Sequence, residues 1–224
     1  MNNQEIVCFI ISTELDELQV EQKNIWRKYM NSNPNIRSFF IEMNDDLNLD
    51  TLVTDDTIYF KGQESIIPGI FLKRQKALNY ALQNFSNLKY VIQTNLSSFF
   101  IWNKMLNLLP KNPPPKFIMG KHWGGFPSGC GSIYGKDVAE IIANSDINPE
   151  IEHDDCTVGK ILLKHNIHNY DGYYHLSHDF NTIPYHCYHL RSRIEPTYNL
   201  EQRIASELPF LKKALEIYYP DLLN

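Results

Sequence analysis

Two adjacent carboxylates, Asp154 and Asp155, sit in the segment His153-Asp154-Asp155-Cys156-Thr157-Val158-Gly159-Lys160. Like charges side by side repel, so each needs its own partner. One Asp can cap a helix beginning at Thr157, a device that stabilises a helix by about 1 kcal/mol and carries no function of its own. The other can then face a pocket, where a carboxylate is able to take a proton from an attacking hydroxyl. A glycine-rich, strand-like run, Ser128-Gly129-Cys130-Gly131-Ser132-Ile133-Tyr134, precedes the pair.

Three other groups carry possible chemistry. Thr94-Asn95-Leu96-Ser97-Ser98 follows the apolar run Lys89 to Gln93, and the carboxyl end of a strand is where an open α/β sheet places ligand groups. Its oxygens belong to an amide and to hydroxyls, a weak set for a hard divalent cation. A strand-to-helix turn accounts for them equally well. Gly124, Gly125, Gly129 and Gly131 let the backbone turn or approach a ligand closely. No G-x-G-x-x-G follows the first strand and no G-x-x-x-x-G-K-[ST] occurs, which leaves Rossmann-type dinucleotide binding and a P-loop without support. His165, His168, His175, His178, His186 and His189 gather late in the chain without a cysteine pair or carboxylate at matching spacing, so structural zinc is disfavoured. On a regular strand over Ile183 to Leu190, His186 and His189 point to opposite faces.

The elements that must position these groups read as alternating strands and helices. Glu5 to Ser12 is a continuous β-branched and aromatic run, the pattern of a strand buried on both faces. Asp16 to Met30 has helical spacing and is broken by Asn33-Pro34-Asn35. Ile36 to Met43, Thr57 to Phe60 and Lys89 to Gln93 are further strands, with a polar surface loop over Asn44 to Asp56. Ile66 to Asn84 is an amphipathic helix. Phe99 to Leu109 is predicted as a helix stopped by Pro110. Phe117 to Gly120 and the end of Phe126 to Tyr134 are strand-like, and Asp137 to Ser145 and Thr157 to His165 are helical. Tyr170 to Leu190 is mostly loop and short strand. Asn199 and Gln202 resemble a capping box, and Pro209 suits the first turn of a second helix running to Tyr219. The order predicts one α/β domain over residues 1–224, with a mixed, mostly parallel sheet flanked by helices.

Composition narrows the partners. The 224 residues carry 21 Lys and Arg against 26 Asp and Glu, a net charge of −5 with no basic block. Nucleic acid is therefore disfavoured as a partner. Ile6 to Ile11 is too short for a signal-peptide core or a membrane span, and no later stretch qualifies. Cys8, Cys130, Cys156 and Cys187 are scattered, as expected of free thiols in a reducing compartment. These features together predict a cytoplasmic protein.

Taken in order, the motifs over roughly Thr57 to Leu190 resemble the fringe and β-1,3-galactosyltransferase group of inverting glycosyltransferases, which have the GT-A fold. The helix with Lys73 and Lys76 looks like the donor-side helix. Lys89-Tyr90-Val91-Ile92-Gln93-Thr94 looks like the strand delivering the family's D-x-D or D-D-D motif. Ser128 to Tyr134 is similar to the glycine-rich G-G-G-Y-V-L-S strand. Asp154-Asp155-Cys156-Thr157-Val158-Gly159 is close to the fringe-type D-D-x-T-x-G.

This resemblance implies transfer of a sugar from a nucleotide sugar, UDP-linked, to a hydroxyl of a glycan, protein or small-molecule acceptor. Asp155 matches the catalytic base, with Asp154 beside it raising its pKa by like-charge repulsion. Ser12, Thr13, Asn44, Lys73, Lys76, Thr94, Asn95, Ser97, Gly129 and Gly131 would line the donor. His186 or His189 would complete a metal site. The sequence departs from the family at Asn95-Leu96-Ser97, which stands where the family has D-D-D. Ser97 matches the acid that holds Mn²⁺ or Mg²⁺. Three consequences stay open. The enzyme is metal-independent, neutralising the diphosphate with Lys73, Arg74, Lys76, Arg191 or Arg193; or it binds metal weakly through the nucleotide and a histidine; or it is a non-catalytic relative that binds nucleotide sugars or glycans. Animal members are membrane-tethered, so a chain with no anchor suggests a soluble viral or microbial version. A histidine-based metal hydrolase is the remaining alternative from another class.

Overall fold

Six consecutive apolar residues form β1 (Ile6–Ile11) in the middle of the sheet. Their side chains alternate between two cores. Ile6, Cys8 and Ile10 pack on one face and Val7 and Phe9 on the other, so both faces of β1 are shielded from water up to Ile10. The structure, a computed structural model, describes residues 5–123, 126–148, 152–168, 170–172, 174–176 and 178–223.

The chain continues as α1 (Glu17–Tyr29), β2 (Ile36–Asn44), β3 (Thr51–Val53), β4 (Thr57–Lys61), α2 (Gly69–Asn84), β5 (Tyr90–Asn95), β6 (Ser98–Phe100) and α3 (Trp102–Leu108). It then forms β7 (Ile118–Trp123), β8 (Phe126–Gly135), α4 (Lys136–Ala143), α5 (Asp154–Lys164), β9 (Tyr170–Asp171), β10 (Tyr174–His175), β11 (His189–Arg191) and α6 (Leu200–Tyr218). Eight strands make one sheet in the order β3-β4-β2-β1-β5-β8-β7-β9. Its centre, β4-β2-β1-β5, is parallel, while β3 and β8 join antiparallel on either side. A smaller sheet, β10-β11-β6, stands beside it.

The chain leaves β1 for β2 on one side and later returns to place β5 on the other. The carboxyl ends of β1 and β5 therefore splay at a topological switch point, the position where open α/β sheets bind ligands. Ser12 and Thr13 follow one strand and Asn95 ends the other.

One core packs α1, α3 and α6 on the sheet through Leu18, Trp26, Tyr29, Trp102, Met105, Leu211 and Leu215. The opposite core packs α2, α4 and α5 through Phe71, Leu78, Val138, Ile142, Val158 and Ile161. Burying one such side chain stabilises the fold by about 1.5–3 kcal/mol. Helix ends follow local chemistry: Asp16 accepts from the Gln19 N–H at 2.8 Å, and Asn199 with Gln202 forms a complete capping box.

Three expectations are corrected. The segment Asn44 to Asp56 contains β3, whose three residues pair with β4 but are too short to show a period. Ser98–Phe100 is a strand rather than the start of a helix, because both phenylalanines are fully buried where β6 pairs with β11. Pro209 lies inside α6 and does not begin a new helix. The missing N–H costs one helical bond, but the flanking Leu208, Phe210 and Leu211 are all buried and hold the helix through it. Helix α6 closes on α1, where Tyr219 stacks on Tyr29 at 5.0 Å and donates to the Phe100 carbonyl at 2.9 Å. No helix among the described residues is long and apolar enough to cross a membrane.

Candidate active site

Two adjoining clefts open at the switch point. The first, of about 440 Å³, is lined by Ser128, Gly129, Cys130, Asp154, Asp155 and Tyr174. The second, of about 540 Å³, is lined by Ser12, Thr13, Gln19, Gln22, Ser65 and Ser97. Ile11, Ile70, Asn95, Arg191 and Arg193 border both.

Asp154 and Asp155 open α5, so the positive end of the helix dipole favours their ionised forms. Neither is the cap residue, which is His153, and each finds a partner on a different element. Asp154 pairs with the fully buried Arg74 of α2. Asp155 accepts from the Gly129 backbone N–H at 2.9 Å. A β-carbon on Gly129 would come within 2.9 Å of the Asp155 carboxylate, so the glycine is what lets strand and acid approach.

The charges partition opposite to the sequence expectation. Burial pushes Asp154 up to about 6 against the pull of Arg74. Burial works to raise Asp155 as well, but it is outweighed by the hydrogen bond with Asp154, the Arg74 charge and the Gly129 N–H. Asp155 is thus held below the usual carboxylate range and is ionised at neutral pH. Like-charge repulsion falls on the more deeply buried neighbour.

Beneath the second cleft lies a matched set of charges. Ser12 donates to Glu42 at 2.8 Å, and the buried Lys23 bridges Glu42 at 2.8 Å and Glu14 at 2.7 Å. Buried Lys73 pairs with Glu64 and donates to the Ser12 carbonyl at 3.2 Å. Burial lowers the Lys73 pKa while Glu64 opposes. Lys73 therefore holds the strand end in place from below rather than lining the cleft. Thr13 donates to Gln19.

The remaining sequence-predicted residues divide. Asn95, Ser97 and Gly129 line a cleft. Thr94 is buried and donates to the Cys130 carbonyl at 2.6 Å, tying β5 to β8. Asn44 closes a turn on the Asp46 N–H at 2.9 Å, and Lys76 reaches the Lys61 carbonyl at 3.2 Å; neither borders a cleft. Gly131 makes room for His189, whose ring would lie 2.5 Å from a β-carbon there. Gly124 and Gly125 lie outside the described residues.

The two histidines are not brought together at the clefts. His186 is exposed and precedes β11. His189 is buried, stacks on Phe100 at 4.5 Å and is neutral, its pKa lowered to about 3 by burial and then by Arg191.

A divalent cation does not fit this donor set. No group of three or more His, Cys, Asp or Glu side chains converges among the described residues. The Asn95 side-chain oxygen is already taken by the Arg191 guanidinium, a positive charge that repels a metal at that spot. Ser97 offers a neutral hydroxyl directed at Asn95, 3.2 Å away.

Two positions were missed from sequence. Arg203 lines the second cleft and pairs at 2.6 Å with Glu207, which is buried. Glu207 also accepts from Gln22 at 2.8 Å and from Ser192 at 3.4 Å. In sequence the two are an i,i+4 pair, an ordinary feature of a solvated helix face.

No family model and no curated protein matches the chain. Among solved structures, a glycosyltransferase involved in the glycosylation of the major capsid of PBCV-1 aligns with a TM-score of 0.53 and 11% identity. The alignment covers 91% of this chain and 99% of that one. The fold is GT-A-like. The catalytic domain of Drosophila β1,4-galactosyltransferase 7, complexed with xylobiose, aligns with a TM-score of 0.45 and 8% identity, covering 75% of this chain and 64% of that one. In this fold, the acid pair and the Ser12–Asn95 crevice lie in adjoining clefts that share Ile11, Ile70, Asn95, Arg191 and Arg193.

Proposed function

We propose that this chain is an inverting glycosyltransferase that moves a sugar from a nucleotide sugar, of UDP type, to a hydroxyl acceptor, with Asp155 as catalytic base. The observation that carries the reading is the ionised Asp155 at one cleft, joined through Asn95, Arg191 and Arg193 to a second cleft of about 540 Å³, room for a nucleoside. The fringe-type motif order supports the same reading.

The nucleoside lies in the cleft of Ser12, Thr13 and Ser97. Leu15 and Ile66, 79% and 67% exposed, supply apolar surface there for a flat base. The sugar reaches towards Asp155. The acceptor oxygen attacks the anomeric carbon from the face opposite the diphosphate and gives its proton to Asp155. The anomeric C–O bond breaks, and its electron pair leaves with the nucleoside diphosphate. One displacement inverts the configuration. A depressed pKa makes Asp155 a weak base but keeps nearly all of it in the reactive form at neutral pH. Asp154, gripped by Arg74, orients it and is a positioning residue. The acceptor, a glycan, protein or small molecule, enters past Tyr174, Leu176 and Ile194.

The test is nucleoside-diphosphate release from a panel of UDP- and GDP-sugars, with the first-formed sugar followed by proton NMR. Release with an anomer opposite to the donor's is the expected result. Release with retention refutes the single displacement. Donor binding without release from any acceptor tried would make the chain a nucleotide-sugar-binding relative.

A further inference from the structure

Resting on the glycosyltransferase reading above, we propose that Arg191 and Arg193 form a diphosphate site that replaces the divalent cation, so that donor binding needs no metal.

Position is the first argument. Both arginines border both clefts, at the junction between the Asp155 side and the Ser12 side. A diphosphate linking a nucleoside in one cleft to a sugar in the other must cross that junction.

Charge is the second. Lys23, Lys73, Arg74 and Arg203, the other cations close to the clefts, each hold a carboxylate. Among the described residues no carboxylate pairs with Arg191 or Arg193. Arg193 donates to the Pro196 carbonyl at 3.4 Å. Burial and then the charges of Arg203 and Arg191 depress its pKa, a repulsion that an anion between them relieves.

Preorganisation is the third. Arg191 is held by the Asn95 side-chain oxygen, and its guanidinium there keeps a metal away from that oxygen. The next residue, Ser192, donates to the Ser97 carbonyl from its N–H at 2.8 Å and its hydroxyl at 2.9 Å. This staples the arginine segment to the end of β5. Glu207 holds Ser192 and Arg203 from below. Planar guanidinium groups fixed in this way match phosphate oxygens two at a time, which an ammonium does not.

Calorimetry with inorganic pyrophosphate and with UDP, GDP and ADP, each in EDTA and in Mn²⁺, tests the proposal. Pyrophosphate and one nucleoside diphosphate are expected to bind in EDTA. Arg193→Ala should weaken both by about tenfold and Arg191→Ala by at least as much, while the matching nucleoside binds each variant as it binds wild type. That nucleoside control shows that the cleft is still folded. Binding that requires Mn²⁺, or that survives both substitutions within about twofold, overturns the arginine site and leaves the glycosyltransferase reading standing. Pyrophosphate binding that both variants lose, with no nucleoside diphosphate bound, upholds the anion site and removes the nucleotide-sugar reading. If nothing binds wild type, both are refuted.

Discussion

Lys23 and Lys73 beneath the crevice and Arg191 and Arg193 at its border are all cations at the same sheet edge, yet among the described residues only the lysines of these four have carboxylate partners. The lysines are almost fully buried, and a buried charge persists only when it is matched. They fasten the ends of β1 and β2 through Glu42, Glu64 and the Ser12 carbonyl. The arginines are half-buried at the mouth, where they donate to neutral oxygens of Asn95 and Pro196, and under the proposal above they take the diphosphate. A positive charge near a cleft is therefore no guide to ligand binding until its partners are counted.

The contrast is broken most severely at Lys73. Lys73→Met removes the ammonium from Glu64, which keeps the Met43 N–H, and from the Ser12 carbonyl, and should cost about 2–3 kcal/mol of stability. Urea unfolding measures it, and pyrophosphate affinity of the folded variant should stay at the wild-type value. A loss of affinity with stability intact would place Lys73 on the ligand side of the comparison. Gly131→Ala comes next. Its β-carbon meets the buried His189 ring, so about 2 kcal/mol of destabilisation is expected in thermal melts. Arg193→Ala should move stability by no more than about 0.5 kcal/mol, as for a surface substitution, which sets it against Lys73.

The smallest effect is a pH dependence. Below pH about 6 Asp154 carries a proton and can donate to Asp155, weakening the base. The turnover rate should therefore rise as pH climbs through that value, while Asp155 itself is ionised throughout. Asp154→Asn always donates, so its profile should stay flat at the acid-side level. A retained acid limb in that variant would assign the titration to another group.

The sheet was legible because β1 is an uninterrupted apolar run and β2 and β5 carry apolar centres, Phe39 to Ile41 and Tyr90 to Ile92, and the acid pair because adjacent carboxylates demand two partners. β6 was not legible. Ser98-Phe99-Phe100 carries the same residues whether it starts a helix or pairs with β11, and the pairing depends on a strand some ninety residues later. Long-range partners also hid the roles of Arg203 and Glu207, and they reversed the charge partition at Asp154 and Asp155. Adjacency predicts repulsion, but Arg74 and the Gly129 N–H, which decide where it falls, come from α2 and β8. In sequence Asn95 reads as a donor-lining residue beside Ser97, the position matched to the metal-holding acid. Only the fold places Arg191 on its oxygen.

The central claim, that Asp155 takes the acceptor proton, is tested most directly by measuring donor affinity and turnover side by side for Asp155→Asn. A donor Kd close to wild type and a kcat lower by roughly 10²–10⁴-fold are expected. A variant that turns over at the wild-type rate, or one whose loss is fully explained by weaker donor binding, would contradict it.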